Sequence, residues 1–170
     1  MAQIAGPAIG CVRVVTINDG SGPKPAYAVW KLPAPRAMSD NFWQVGSLLA
    51  HLDLDAGRVT RCVIGTGLDQ RDAAVHPVSG AQIVGTTLPH WEDTLRIACD
   101  AHAVFPEFGI CGFDIAVTEA GPKVLECNDN PSHNLYQIAA GRGLMSPDLA
   151  PHWDAVTARQ ANQLHRHRAK

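Results

Sequence analysis

The stretch at residues 110–132, ICGFDIAVTEAGPKVLECNDNPS, decides the fold that we predict for this chain. Two short apolar runs at 110–118 and 123–127 flank a Glu-Ala-Gly-Pro segment, which is typical of a hairpin loop. Side chains alternate across a β-strand, so every second residue of the first run faces the same way. The apolar face of that run holds Phe113, Ile115 and Val117. The stretch therefore predicts an antiparallel hairpin with one apolar face that needs cover.

The opposite face of the predicted hairpin collects polar side chains. Alternation puts Asp114 there on the first strand and Glu126 and Asn128 on the second, with Leu125 and Cys127 turned to the apolar face. Carboxylate and amide oxygens are the ligands that Mg²⁺ accepts, beside water and phosphate. The same residues also fit a hairpin with an ordinary solvated face, because exposed acidic residues are common. Alternation alone leaves both interpretations open.

A longer pattern resembles a known superfamily. The spacing D-(x)11-E-x-N-x-x-P, formed by Asp114, Glu126, Asn128 and Pro131, is similar to the metal-binding signature of ATP-grasp enzymes. Flanking segments resemble one branch, the sugar-transfer-associated ATP-grasp family, which is related to the alpha-L-glutamate ligases. These segments include Thr16-Ile17-Asn18-Asp19, Ser39-Asp40-Asn41-Phe42, His76-Pro77 and Gly112-Phe113-Asp114-Ile115. The resemblance runs in one order, with compatible spacing, from about residue 10 to about residue 145.

The resemblance implies cofactors and an activity. It implies ATP and Mg²⁺ (or Mn²⁺), with Asp114, Glu126 and Asn128 as metal ligands and the last two also in contact with the nucleotide. The implied reaction is phosphoryl transfer from ATP to a small carboxylate substrate, followed by attack of an amine on the acyl phosphate. Many ATP-grasp ligases carry an arginine two residues before the aspartate, whereas Gly112 stands there in this chain. Arginine help to the transferring phosphate is therefore not expected from that position.

Three further residues are candidates for contacts with phosphate or substrate. Apolar segments on either side of a turn at 18–23 predict a second hairpin, with Arg13 in its first strand and Lys31 at the end of its second. Related ligases carry basic residues that face the nucleotide on the corresponding strand, so the resemblance assigns both residues to phosphate. They also fit ordinary charges on exposed edge strands. In the polar loop that follows, Asn41 matches a pocket-lining position, and we name Arg13 and Asn41 as catalytic candidates.

Composition and charge narrow the class of protein. A hydrophobic content of 46% fits a globular domain, and a net charge of −2 gives no electrostatic basis for binding nucleic acid. No apolar run approaches the roughly 18 residues that cross a bilayer, so we expect no membrane partner. Five separated cysteines without a CxxC pair predict free thiols in a reducing compartment, and hence a cytoplasmic protein.

These patterns together predict an α+β fold, a mainly antiparallel sheet with helices packed on one face, like the C-terminal lobe of ATP-grasp enzymes. Apolar spacing predicts a helix at 88–105 that ends before Pro106 and covers the hairpin. A final amphipathic helix is expected after residue 146. We therefore divide the chain into a metal- and nucleotide-binding lobe at 1–146 and a C-terminal helix with a basic tail at 147–170.

The resemblance also implies something more than this chain. ATP-grasp enzymes hold ATP between two lobes, and the chain resembles only the second of them. We expect a truncated reading frame, a separately encoded N-terminal lobe as partner, or a remnant without catalysis. The opposing hypothesis is therefore a catalytically inactive lobe that serves as a binding or interaction module. A third alternative, a carboxylate metallohydrolase, lacks the histidine clusters often seen at such sites.

Overall fold

The structure is a computed structural model that describes residues 4, 10–34, 37 and 44–168, with side chains described as far as residue 162. No helix in this part of the chain is long and apolar enough to cross a membrane. The five cysteines are free, as predicted, although Cys127 is exposed.

Within the described residues, seven strands form one antiparallel sheet in the order β5-β4-β3-β2-β1-β6-β7. The strands are β1 (Val12–Asn18), β2 (Pro23–Leu32), β3 (Leu48–Leu52), β4 (Val59–Ile64), β5 (Arg71–Asp72), β6 (Ile110–Thr118) and β7 (Gly121–Asn128). The two predicted hairpins, β1–β2 and β6–β7, therefore form, and pairing of β1 with β6 joins them. This long-range pairing brings the basic residues of the first hairpin beside the acidic residues of the second.

The described helices lie on both faces of the sheet. They are α1 (Trp91–Ala103), α2 (Asn134–Ala140) and α3 (Ala150–Arg168). One core lies between the sheet and α1, and the second lies between the opposite face and α2 and α3. The predicted α+β class and antiparallel sheet are confirmed, but the expectation of helices on one face is wrong. The reason is that β1 is buried along its whole length, so its apolar side chains need cover on either side.

Helix α1 is the predicted helix, about three residues shorter at its start. Glu92 and Asp93 lie in its first turn, where negative charge favours a helix, and His102 lies in its last turn. His102 is fully buried, with Nδ1 2.7 Å from the hydroxyl of Thr16 and Nε2 3.1 Å from the carbonyl of Phe108. A neutral ring with its proton on Nε2 satisfies both contacts, because Nε2 then donates and Nδ1 accepts. The histidine thus ties α1 to the centre of the sheet.

The β6–β7 hairpin has the predicted partners and one irregularity. Asp114 lies opposite Glu126, but the register shifts immediately afterwards, so that Val124 lies opposite Ile115. Leu125 is the extra residue and is 57% exposed. The prediction that Leu125 faces the apolar side together with Cys127 is therefore wrong, because a one-residue bulge reverses the alternation beyond it.

Candidate functional site

A buried ion cluster lies on the sheet face that also carries α2 and α3. Its members are Arg13 of β1, Lys31 of β2 and Asp114 of β6, and we call it the Asp114 cluster. Arg13 donates through Nε and Nη2 to the two carboxylate oxygens, with Nη2 2.7 Å from Oδ2. Lys31 Nζ lies 2.8 Å from the same Oδ2. Each of the three residues is less than a tenth exposed, so these are buried charges and not surface ones.

Strand register explains why the three side chains meet. Arg13 is paired with Val29 of β2 on one side and with Asp114 of β6 on the other. Paired residues point to the same face of a sheet, and Lys31 shares that face with Val29 because it follows two residues later. Both basic residues therefore lie next to one carboxylate, although 101 residues separate Arg13 from Asp114 in the sequence.

The cluster keeps its charges despite burial. Burial raises the pKa of Asp114, but hydrogen bonds from Arg13 and Lys31 outweigh it, so that the pKa lies below its usual value. Burial lowers the pKa of Arg13, and its hydrogen bonds with Asp114 more than restore it. The carboxylate is thus ionised, and two basic side chains surround it. Arg13 and Lys31 together carry more positive charge than Asp114 carries negative charge. The carboxylate of Glu126 balances the remainder.

A glycine makes room for the arginine. A Cβ added at Gly112 would lie 2.6 Å from Cβ of Pro131 and 3.3 Å from Cδ of Arg13. The loop after β7 therefore folds back over β6, and the stem of Arg13 lies beside it on the bare backbone of Gly112. A side chain at position 112 does not fit while Pro131 lies there, so this position requires glycine. Positive charge beside Asp114 comes from the neighbouring strand instead of from residue 112.

The two other predicted metal ligands lie on the same face as Asp114. Glu126 is its direct cross-strand neighbour and is exposed. Asn128 lies opposite Gly112, and its Nδ2 is 3.4 Å from the carbonyl oxygen of that glycine. The predicted ligands are therefore neighbours on two adjacent strands. The remaining candidate, Asn41, lies outside the described residues.

The oxygen ligands of Asp114, Glu126 and Asn128 suit a hard cation only when an anion binds beside it. Two carboxylates and an amide supply oxygen ligands of the kind that Mg²⁺ accepts. Within the described residues, no three His, Cys, Asp and Glu side chains form a group that could hold a metal by themselves. Asp114 also uses three of its roughly four acceptor positions on Arg13 and Lys31. The residues thus fit a metal that arrives with a phosphate able to attract those two basic side chains.

A cleft lined by polar and apolar residues opens at the same end of the sheet. Its volume is about 410 Å³, within the range of small-molecule sites. Leu32, the last residue of β2, pairs with Leu48, which pairs with Ile64 in the cleft wall. The cleft therefore lies two strands from Lys31, and residues 44–47, which precede β3, form part of its wall. This cleft was not predicted, because its walls come from two irregular segments between strands.

Comparison with known proteins identifies the family. The model of a family described as sugar-transfer associated ATP-grasp matches residues 1–150. No curated protein matches the chain. Because the family match covers most of the 170 residues, the chain belongs to the sugar-transfer-associated ATP-grasp family. The resemblance of the sequence is thereby confirmed, whereas the division at residue 146 stays a prediction.

Proposed function

We propose that this member of the sugar-transfer-associated ATP-grasp family binds ATP together with Mg²⁺ at the Asp114 cluster, as the C-terminal part of a carboxylate–amine ligase. The observation that carries the proposal is the convergence of two buried basic side chains on a carboxylate whose cross-strand neighbour is a second carboxylate. Burying three charged groups is costly, and apolar residues of similar size are often as stable. The burial of all three at one point of a sheet therefore favours a binding role.

Each residue has a part in this proposal that suits its chemistry. Asp114 and Glu126 hold the metal and Asn128 completes the protein ligands, while Mg²⁺, when bound, neutralises phosphate charge. Arg13 offers a planar fork that matches two phosphate oxygens, and Lys31 adds a compact charge. Catalysis of phosphoryl transfer rests mostly on positioning and charge, which such a rigid sheet supplies.

The substrates are a small carboxylate and an amine, and this cleft is the candidate site for them. Residues 44–47 form part of the cleft wall and follow Asn41 closely in the sequence. We therefore assign Asn41 to substrate or phosphate contact. A separately encoded N-terminal lobe is the proposed partner, and the free thiols favour a cytoplasmic location.

One observation favours a second function, that of an inactive binding or interaction module. Asp114 is already satisfied by Arg13 and Lys31, so the cluster is a complete ion group without any ligand. A lobe that had lost catalysis would keep such a group for stability alone. The two functions differ in whether nucleotide binds.

Calorimetric titration with a non-hydrolysable ATP analogue, with and without Mg²⁺, separates them. The wild-type chain should bind the analogue when Mg²⁺ is present. In Glu126→Gln, the addition of Mg²⁺ should no longer change the affinity for the analogue. Glu119→Gln is the matched control, because it removes an exposed carboxylate from the turn of the same hairpin. Absence of binding in the folded wild-type chain, or equal metal dependence in Glu126→Gln, contradicts the ligase proposal.

A further inference from the structure

We propose that Asp114 is an internal counter-ion that occupies Arg13 and Lys31 when no phosphate is bound, so that phosphate and metal bind well only together. The inference rests on the proposed function, since it concerns the same site. It goes further, because it assigns an autoinhibitory role to the contact of the Asp114 carboxylate with Arg13 and Lys31, the side chains that would bind phosphate. The physical basis is the set of contacts inside the Asp114 cluster.

Metal alone meets an unfavourable site. A divalent cation that approaches Asp114 comes close to Arg13 and Lys31, both within hydrogen-bond distance of the carboxylate oxygens. Like charges at this separation repel strongly where water is excluded. Glu126 is exposed and offers one carboxylate, but a single exposed carboxylate is a weak ligand for Mg²⁺.

Phosphate alone meets the opposite difficulty. Binding to Arg13 and Lys31 would draw them away from Asp114, which is 4% exposed. A buried carboxylate that loses its partners is strongly destabilising. The anion therefore competes with a carboxylate that is held by three hydrogen bonds in a fixed geometry.

Phosphate and metal together remove both difficulties. The basic side chains turn to the phosphate, and the metal takes their place beside Asp114 and Glu126, so that every buried charge keeps a partner. The stem of Arg13 lies against Gly112, which leaves the guanidinium end as the part that moves. Coupling between two ligands typically changes affinity about 5- to 150-fold, and we expect a value in that range.

The test uses inorganic pyrophosphate, which carries the phosphates but no base or ribose. Calorimetry without metal should give weak binding to the wild-type chain and binding about tenfold or more tighter to Asp114→Asn, because the counter-ion is gone. Addition of Mg²⁺ should strengthen binding to the wild type and change it little in Asp114→Asn. Asp148→Asn is the control, since it removes an exposed carboxylate from another arginine and should behave as the wild type.

A second variant covers the case in which Asp114→Asn does not fold. Arg13→Met removes one competing cation, and it should bind Mg²⁺ without phosphate several-fold tighter than the wild type does. The inference is overturned if folded Asp114→Asn binds metal-free pyrophosphate no tighter than the wild type, or if Arg13→Met gains no affinity for the metal. Failure of the wild type to bind the ATP analogue with Mg²⁺, while both variants gain affinity as stated, overturns the proposed function and supports the counter-ion.

Discussion

Two arginine–carboxylate pairs of the same chemistry lie in very different surroundings. Arg13 and Asp114 form two hydrogen bonds inside the sheet, with side chains 10% and 6% exposed. Arg142 and Asp148 also form two, at 3.1 and 2.7 Å, with side chains 45% and 54% exposed. The buried pair has a third member in Lys31, whereas the surface pair shares its arginine with the hydroxyl of Tyr136.

The comparison teaches that geometry alone does not give an ion pair its role. The surface pair lies between α2 and α3 and fixes the connecting loop, where water and salt screen its charges. Burial removes water from the three charged groups of the Asp114 cluster. The free energy that this costs is recovered only while the three groups stay paired with one another. A change at the buried cluster should therefore matter far more, and the cluster is where we expect ligand chemistry.

The largest expected effect comes from breaking the buried cluster. Asp114→Asn removes the buried negative charge on which Arg13 and Lys31 converge and should lower the free energy of unfolding by about 3–5 kcal/mol. Denaturant titration followed by circular dichroism measures this. Asp148→Asn, the same change in the surface pair, should alter stability far less. Equal losses in the two variants would contradict the distinction between the pairs.

The next effect tests the room made for Arg13. Gly112→Ala places a Cβ too close to Pro131 and should cost about 1–3 kcal/mol, as overpacking of a core does. Gly143→Ala is the matched control, because nothing lies within 4 Å of a Cβ there. Thermal unfolding of both variants provides the measurement. A Gly112→Ala protein as stable as the control would mean that the loop moves away without cost.

A pH titration separates the buried carboxylate from the buried histidine. Burial lowers the pKa of His102, so the unfolded chain takes up its proton first as the pH falls. Stability should decline below pH 6.5 by at most about 1.4 kcal/mol per pH unit for this group. The pKa of Asp114 is also lowered, so its contribution is lost only below pH 3.8. His102→Gln should flatten the slope between pH 6.5 and 5, and an unchanged slope would exclude the histidine as its cause.

The smallest effect belongs to the surface pair. Raising the salt concentration from 0.05 to about 1 M shortens the screening length to roughly 3 Å. The small difference in melting temperature between the wild type and Asp148→Asn should disappear under these conditions. The difference between the wild type and Asp114→Asn should persist, because buried charges are screened much less. Loss of both differences would place the Asp114 cluster in contact with solvent.

Part of the candidate site followed from the sequence, because side chains alternate across a strand. Alternation was enough to predict Asp114, Glu126 and Asn128 on one face, with Asp114 opposite or diagonal to the other two. The bulge at Leu125 was not predictable, since a single extra residue leaves no mark on the pattern of polar and apolar residues. The bulge shapes the site, because the register on the turn side pairs Ile115 with Val124 and would continue to Leu125 opposite Asp114. The extra residue brings Glu126 to that position instead.

The long-range features escaped the sequence for a different reason. Arg13 and Lys31 were expected to face phosphate or solvent, and their contact with Asp114 was missed because it depends on the pairing of β1 with β6. One signal pointed toward it: a basic residue inside an apolar strand is buried only with a partner. The second core was also missed, although uninterrupted burial of β1 is what its apolar sequence favours on a strand covered on both faces.

The most direct test of the central claim is to locate the metal. Mn²⁺ replaces Mg²⁺ at oxygen-ligand sites and broadens the amide NMR signals of residues close to it. In the presence of the ATP analogue, substoichiometric Mn²⁺ should broaden the signals of Asp114 and Glu126 first and leave that of Asp148 sharp. Broadening that appears first at Asp148 would contradict a metal site at the Asp114 cluster. Broadening of Asp114 and Glu126 that is the same without the analogue would contradict the coupling of the metal to the phosphate.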